Sequence, residues 1–172
     1  MLPKSMDIDV VVIAGISGSG KSTLAKMLAT AQSWEFIEAD DYHDDTAVKK
    51  MRSGIPLNDE DRVPWLLRLN HRLQQSPHPA GDNQKPRVLS CSALKEQYRN
   101  LLVGTLNARF VWLNISQELA SKRMTSRSEH FMPSSLAQSQ LDIAEPPEHA
   151  LILDAAQSPE ILLSKTLSYL GV

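Results

Sequence analysis

The sequence predicts an α/β fold organised around a five-stranded, mostly parallel sheet. Three observations carry this reading. Short β-branched apolar runs recur along the chain, stretches with helical spacing separate them, and a glycine-rich turn joins the first run to the first helix. The 172 residues suit a single domain able to bury a real core.

The elements follow in order. VVVIAG (residues 10–15) is continuous and β-branched, the pattern of a strand buried on both faces. KSTLAKMLATA then places Leu24, Met27, Leu28 and Ala31 on one helical face. WEFIEA (residues 34–39) reads as the second strand, and a helix is expected from Asp44 through Met51 until SGIPLND breaks it. RVPWLLRLNHRLQQ is expected as a helix with Pro64 near its first turn, where a missing N–H costs nothing, and with Leu66, Leu69 and Leu73 on one face. SPHPAGDNQKP (residues 76–86) is a polar surface loop. RVLSCSA is the third strand, LKEQYRNLL a helix and RFVWLNI the fourth strand. SQELASKRMTSR is a helix with Ser116 as a plain N-cap. HALILDA is the fifth strand, and SPEILLSKTLSYL closes the chain with Pro159 at the first helical position.

Composition excludes several classes. A formal net charge of -2 disfavours a nucleic-acid-binding surface, which is usually clearly basic. The one cysteine, Cys91, precludes an intrachain disulfide and fits a reducing, cytoplasmic compartment. No apolar stretch reaches the roughly 18 residues of a membrane span, and the N-terminal run has neither the length nor the flanks of a signal peptide.

GISGSGKS (residues 15–22) matches G-x-x-x-x-G-K-[ST] between a strand and a helix, the setting that gives the pattern its meaning. Glycines let successive backbone N–H groups point inward, and the helix N-terminus adds partial positive charge, so the main chain holds a triphosphate. The expected nucleotide contacts are Gly15, Ile16, Ser17, Gly18, Ser19, Gly20, Lys21, Ser22 and Thr23. Lys21 is expected to reach the β- and γ-phosphates of ATP, and the Ser22 hydroxyl to ligate Mg²⁺. No N-K-x-D stretch occurs, so the guanine-reading element of switch GTPases is missing and a small-molecule kinase is favoured.

Three later segments reach the carboxyl edge of the predicted sheet, where ligands of open α/β folds collect. They are EADDYH after the second strand, PLNDEDRVPWL with Arg62, and CSALKEQYR with Lys95 and Arg99. A carboxylate with several cations suits an acceptor carrying both a hydroxyl and an anionic group.

GISGSGKS, EADDYH, KMRSGIPLNDEDRVPWL, CSALKEQYR and HFMPSSLAQSQ together resemble the gluconate kinases of the small P-loop type, relatives of shikimate kinase and adenylate kinase. The resemblance runs from about residue 10 to residue 147. It implies a P-loop kinase three-layer sandwich with helices on both faces and a mobile lid at approximately residues 124–147. It also implies ATP-dependent phosphorylation of D-gluconate at the 6-hydroxyl, and such kinases are often homodimers. Shikimate or another hydroxy acid as acceptor, and a non-catalytic ATP-binding module, are the alternatives. The chain departs from the family pattern at Ala39 and Glu129, where glycines are usual, at Asp44 for a proline and at Ala47 for an asparagine.

Individual residues carry competing roles. Asp40 is expected at the acceptor hydroxyl as hydrogen-bond acceptor and general base, against a loop carboxylate capping an N–H. Glu38 holds a Mg²⁺-bound water or pairs with a lysine. His43 orients substrate or packs in its loop. Arg62 grips the substrate carboxylate or bridges to Asp59 or Asp61. Lys95 and Arg99, four apart, form an anion clamp or a solvated stripe. Arg123 and Arg127 belong to the lid, with Arg127 nearer the phosphates and Arg123 nearer the nucleotide, against cations that merely favour a helix C-terminus. His130 helps close the site. Cys91, Trp65 and Trp112 are expected in the core.

Overall fold

The computed structural model describes residues 8–75, 85–127 and 133–172. β1 (Val10–Ala14) is buried at all five positions, because it runs through the middle of the sheet. β2 (Glu35–Glu38), β3 (Arg87–Ser90), β4 (Ala108–Asn114) and β5 (Leu151–Asp154) complete five strands in the order β2-β3-β1-β4-β5. Every pairing is parallel. The chain therefore builds one side of the sheet through β2 and β3, then crosses to the other through β4 and β5. That change of direction flanks β1 and opens a crevice at the carboxyl ends of the strands.

α1 (Lys21–Gln32) packs against β1, β2, β3 and the closing helix α7 (Pro159–Leu170). Its buried residues are Leu24, Ala25, Leu28 and Ala29, so the apolar stripe differs from the expected one: Ala31 is exposed and Met27 half-buried. The small Ala25 and Ala29 let the helix approach the sheet closely. α2 (Asp45–Arg52) begins at Asp44, whose carboxylate accepts the Ala47 N–H at 2.8 Å.

α3 (Asp59–Gln74) corrects the expected place of Pro64, which lies inside the helix rather than in its first turn. A capping box sets the start earlier: Asn58 accepts the Asp61 N–H at 2.8 Å, and Asp61 accepts the Asn58 N–H at 3.0 Å. Pro64 removes the donor to the residue 60 carbonyl, which is tolerable because residue 60 is exposed. At the other end, Arg87 of β3 donates to the Leu73 carbonyl at 2.6 Å and to Gln75, while Glu35 receives both Arg72 and Arg87.

α4 (Glu96–Val103) pairs with α3. α5 (Gln117–Thr125) is capped by Ser116, which accepts the Leu119 N–H at 3.2 Å. α6 (Leu136–Ile143), a helix within the expected lid segment, packs on α5. Cys91, Trp65 and Trp112 are buried as expected, and burial pushes the Cys91 thiol up to about 12. Among the described residues, no helix is long and apolar enough to cross a membrane.

Candidate active site

The loop after β1 wraps the N-terminus of α1. Gly20 caps that helix with φ of 93°, and no side chain caps it or places an acid in its first turn. The first-turn amides are thereby left for an anion, which the helix dipole favours. Gly18 has φ of 82°, and a Cβ there would lie 2.6 Å from the Ala120 carbonyl of α5. The loop is thus pressed between α1 and α5, and only a bare backbone fits. The Ser19 hydroxyl is buried with no partner among the described residues, a donor suited to a phosphate oxygen. Gly15 donates to the Ser92 carbonyl at 3.3 Å, and Lys21 donates to the Ile16 carbonyl at 3.0 Å.

One cavity brings together much of what the sequence singles out. Its walls include Ser17, Gly18, Gly20, Lys21 and Ser22, together with Asp40, His43, Arg62 and Arg127. Asp40 sits on a short 3-10 turn, Ala39–Tyr42, that carries the chain off the end of β2. Burial raises its pKa, with the Lys21 charge opposing. Burial lowers that of Lys21, with Asp40 and Glu38 opposing. The two groups therefore lie near enough to feel each other's charge in a poorly solvated site.

The Ser22 hydroxyl donates to the Glu38 carboxylate and lies 3.2 Å from the Ser90 hydroxyl. Burial raises the Glu38 pKa, and the Ser22 hydrogen bond offsets part of this. An all-oxygen set of this kind fits Mg²⁺, which keeps waters and takes phosphate oxygens as further ligands.

His43 stacks on Trp65 with ring centroids 4.3 Å apart, and burial lowers its pKa to about 4. Trp65 is held in turn by donating to the Ala39 carbonyl at 2.7 Å. Arg62 is buried, donates to the Leu57 carbonyl at 3.4 Å, and lies over the Tyr98 ring at 5.2 Å. Its expected rivals are occupied elsewhere: Asp61 pairs with Lys50 at 2.8 Å, and Asp59 pairs with Lys95 at 3.0 Å. Among the described residues, no ion pair claims Arg62.

The expected clamp of Lys95 and Arg99 is not brought to this cavity. Lys95 is the N-cap of α4 with extended φ, ψ, so helical i, i+4 spacing does not apply between the two. Its ammonium goes to Asp59, which also accepts the Tyr98 hydroxyl. Arg99 is buried and donates to the Ala93 carbonyl at 2.8 Å, bracing a turn where Ala93 has φ of 41°. Arg123 lies beside the loop, donating to the Ala155 carbonyl at 2.8 Å and to those of Ser19 and Gly18 at 3.4 and 3.5 Å. With Thr23, Arg127, Gln157 and Pro159 it lines a neighbouring recess. His130 and Glu129 lie outside the described residues.

Five wall residues carry no site role in the sequence reading: Met51, Leu57, Trp65, Ser92 and Gln140. Trp65, expected in the core, is buried and also lines the cavity. Ser92 and Gln140 sit inside the CSALK and HFMPSSLAQSQ blocks, so the signal was present without a role attached.

An all-parallel sheet with this anion cradle at the end of its central strand defines a P-loop kinase. A family model described as an AAA domain matches residues 10–147. A protein of Dictyostelium discoideum named probable gluconokinase is 36% identical over 171 residues, covering 94% of this chain and 86% of its own. The gluconokinase of Arabidopsis thaliana is 38% identical over 174 residues, covering 92% and 90%. The crystal structure of a gluconokinase from Sinorhizobium meliloti 1021 superposes with a TM-score of 0.81 at 38% identity, over 96% of this chain and 93% of that one. The chain belongs to the gluconokinase family.

Proposed function

We propose that the protein transfers the γ-phosphoryl group of ATP to the 6-hydroxyl of D-gluconate, giving 6-phospho-D-gluconate and ADP. The observation that carries this is the opposition of Asp40 and Arg62 in one cavity with the phosphate loop. A carboxylate beside Lys21 suits a neutral hydroxyl, and a buried arginine that no ion pair claims suits an acid.

Asp40 accepts the hydroxyl proton as the oxygen attacks phosphorus and the bond to ADP breaks. Lys21 leaves the Ile16 carbonyl to meet the β- and γ-phosphates. Arg62 grips the gluconate carboxylate, and His43, held flat on Trp65, orients the sugar acid. Ser22, with Glu38 through water, would hold Mg²⁺, which would supply neutralisation of phosphate charge. Arg127 adds positive charge at the transferring group, and Arg123 flanks the nucleotide recess. A lid over residues 124–147, including His130, excludes water. Lys95 and Arg99 act behind the site in this reading, through Asp59 and the Ala93 turn. From the family likeness we also propose a single-domain cytoplasmic homodimer, which light scattering of the purified protein checks.

ADP release measured with gluconate, shikimate, glycerate, glucose and AMP tests the acceptor. Gluconate is expected to stimulate release far above the others. Stimulation by another acceptor instead overturns the gluconate assignment, and no stimulation by any would make the chain an ATP-binding module.

A further inference from the structure

Gln140 is a buried polar residue for which the proposed chemistry has no use. It lies on α6, whose Leu136 and Ala137 are also buried, and is itself 7% exposed. Its Oε1 accepts the Ser17 N–H at 2.7 Å across 123 residues of sequence. Both residues line the cavity that holds Lys21 and Asp40. A buried carboxamide costs free energy unless it is bonded, and an apolar side chain would pack α6 as well. The hydrogen bond to Ser17 gives a buried glutamine a use here that packing alone does not require.

Among the described residues, the loop's first turn is held from three sides. β3's following turn holds Gly15 through the Ser92 carbonyl, and Lys21 holds the Ile16 carbonyl from within. The third hold, on Ser17, comes from α6, which lies in the segment expected to close over the site. We propose that Gln140 is a positioning residue that couples α6 to the phosphate loop. Seating of α6 sets the Ser17 amide in cradle geometry, and a filled cradle favours the seated helix. By linkage the two events strengthen each other. This rests on the assignment of the cavity to phosphoryl transfer from ATP.

The test compares wild type with Gln140→Ala for ATP affinity by titration and for ADP release with and without gluconate. The variant is expected to bind ATP roughly two- to tenfold more weakly, the span of one lost hydrogen bond. It is also expected to release a larger share of its ADP without acceptor, because a loosened α6 admits water. Unchanged affinity together with an unchanged share, even at a lower melting temperature, overturns the proposal and leaves Gln140 a packing residue. If Gln140→Ala does not fold, Gln140→Glu keeps length and acceptor but sets a carboxylate beside the incoming anion. ATP affinity at least tenfold weaker, recovering as salt screens the charge, supports the placement, and wild-type affinity overturns it. ATP titration needs no acceptor. A wild-type protein that binds ATP and ignores gluconate therefore sinks the acceptor assignment while leaving this comparison standing.

Discussion

At the scale of single residues, burial draws opposite responses from Asp40 and His43. Burial favours the neutral form of each, which raises the carboxyl and lowers the imidazole to about 4. For Asp40 the consequence is catalytic. In the proposed mechanism turnover needs the carboxylate, so the acid limb of kcat is expected above the ordinary aspartate range. Asp40→Asn is expected to cut kcat by about 10²–10⁴ while leaving ATP affinity within a few-fold. Steady-state kinetics with an ATP titration checks this, and equal losses in both would make Asp40 structural. For His43 the consequence is stability. Between its usual 6.5 and about 4 the unfolded chain binds a proton that the folded protein refuses. Its contribution is therefore intact above 6.5 and lost as pH falls through that window. Denaturant midpoints measured across it are expected to drop less steeply in His43→Gln than in wild type.

At the scale of elements, the phosphate loop depends on how closely α5 approaches it. Gly18→Ala combines a positive φ of 82° with a Cβ 2.6 Å from the Ala120 carbonyl, so backbone must move. A loss of about 1–3 kcal/mol in folding stability is expected by urea denaturation, together with weakened ATP binding. The loop is legible in GISGSGKS because its chemistry is local: glycines, lysine and serine at set spacing follow a strand. The cations of CSALKEQYR are legible as residues, but they do not line the cavity that holds Lys21 and Asp40. Lys95 and Arg99 sit four apart, but the helix starts after Lys95, and the fold offers each a nearer partner in Asp59 and the Ala93 carbonyl. Arg62 was ambiguous in sequence for the same reason. Only the pairing of Asp61 with Lys50 and Asp59 with Lys95 leaves its charge for the cavity.

At the scale of the whole molecule, β1 joins core and function. Its buried run anchors the sheet, and its carboxyl end delivers the loop. Nucleotide binding is thus tied to the fold as a unit. A single unfolding transition is expected, and ATP with Mg²⁺ at about 100 times its dissociation constant is expected to add roughly 2.7 kcal/mol. Calorimetry with and without nucleotide measures this, and two separate transitions would divide the domain.

The amino-acid order alone determined the alternation of strands and helices, the parallel sheet and the nucleotide cradle. Each follows from periodicity or from a motif contained within a few residues, where the physics acts over one or two turns of chain. The tertiary structure alone decided which charges face the cavity, that Trp65 backs His43, and that Gln140 reaches Ser17 from 123 residues away. Those outcomes depend on competition among partners distant in sequence, and burial and geometry settle that competition only once the chain has folded.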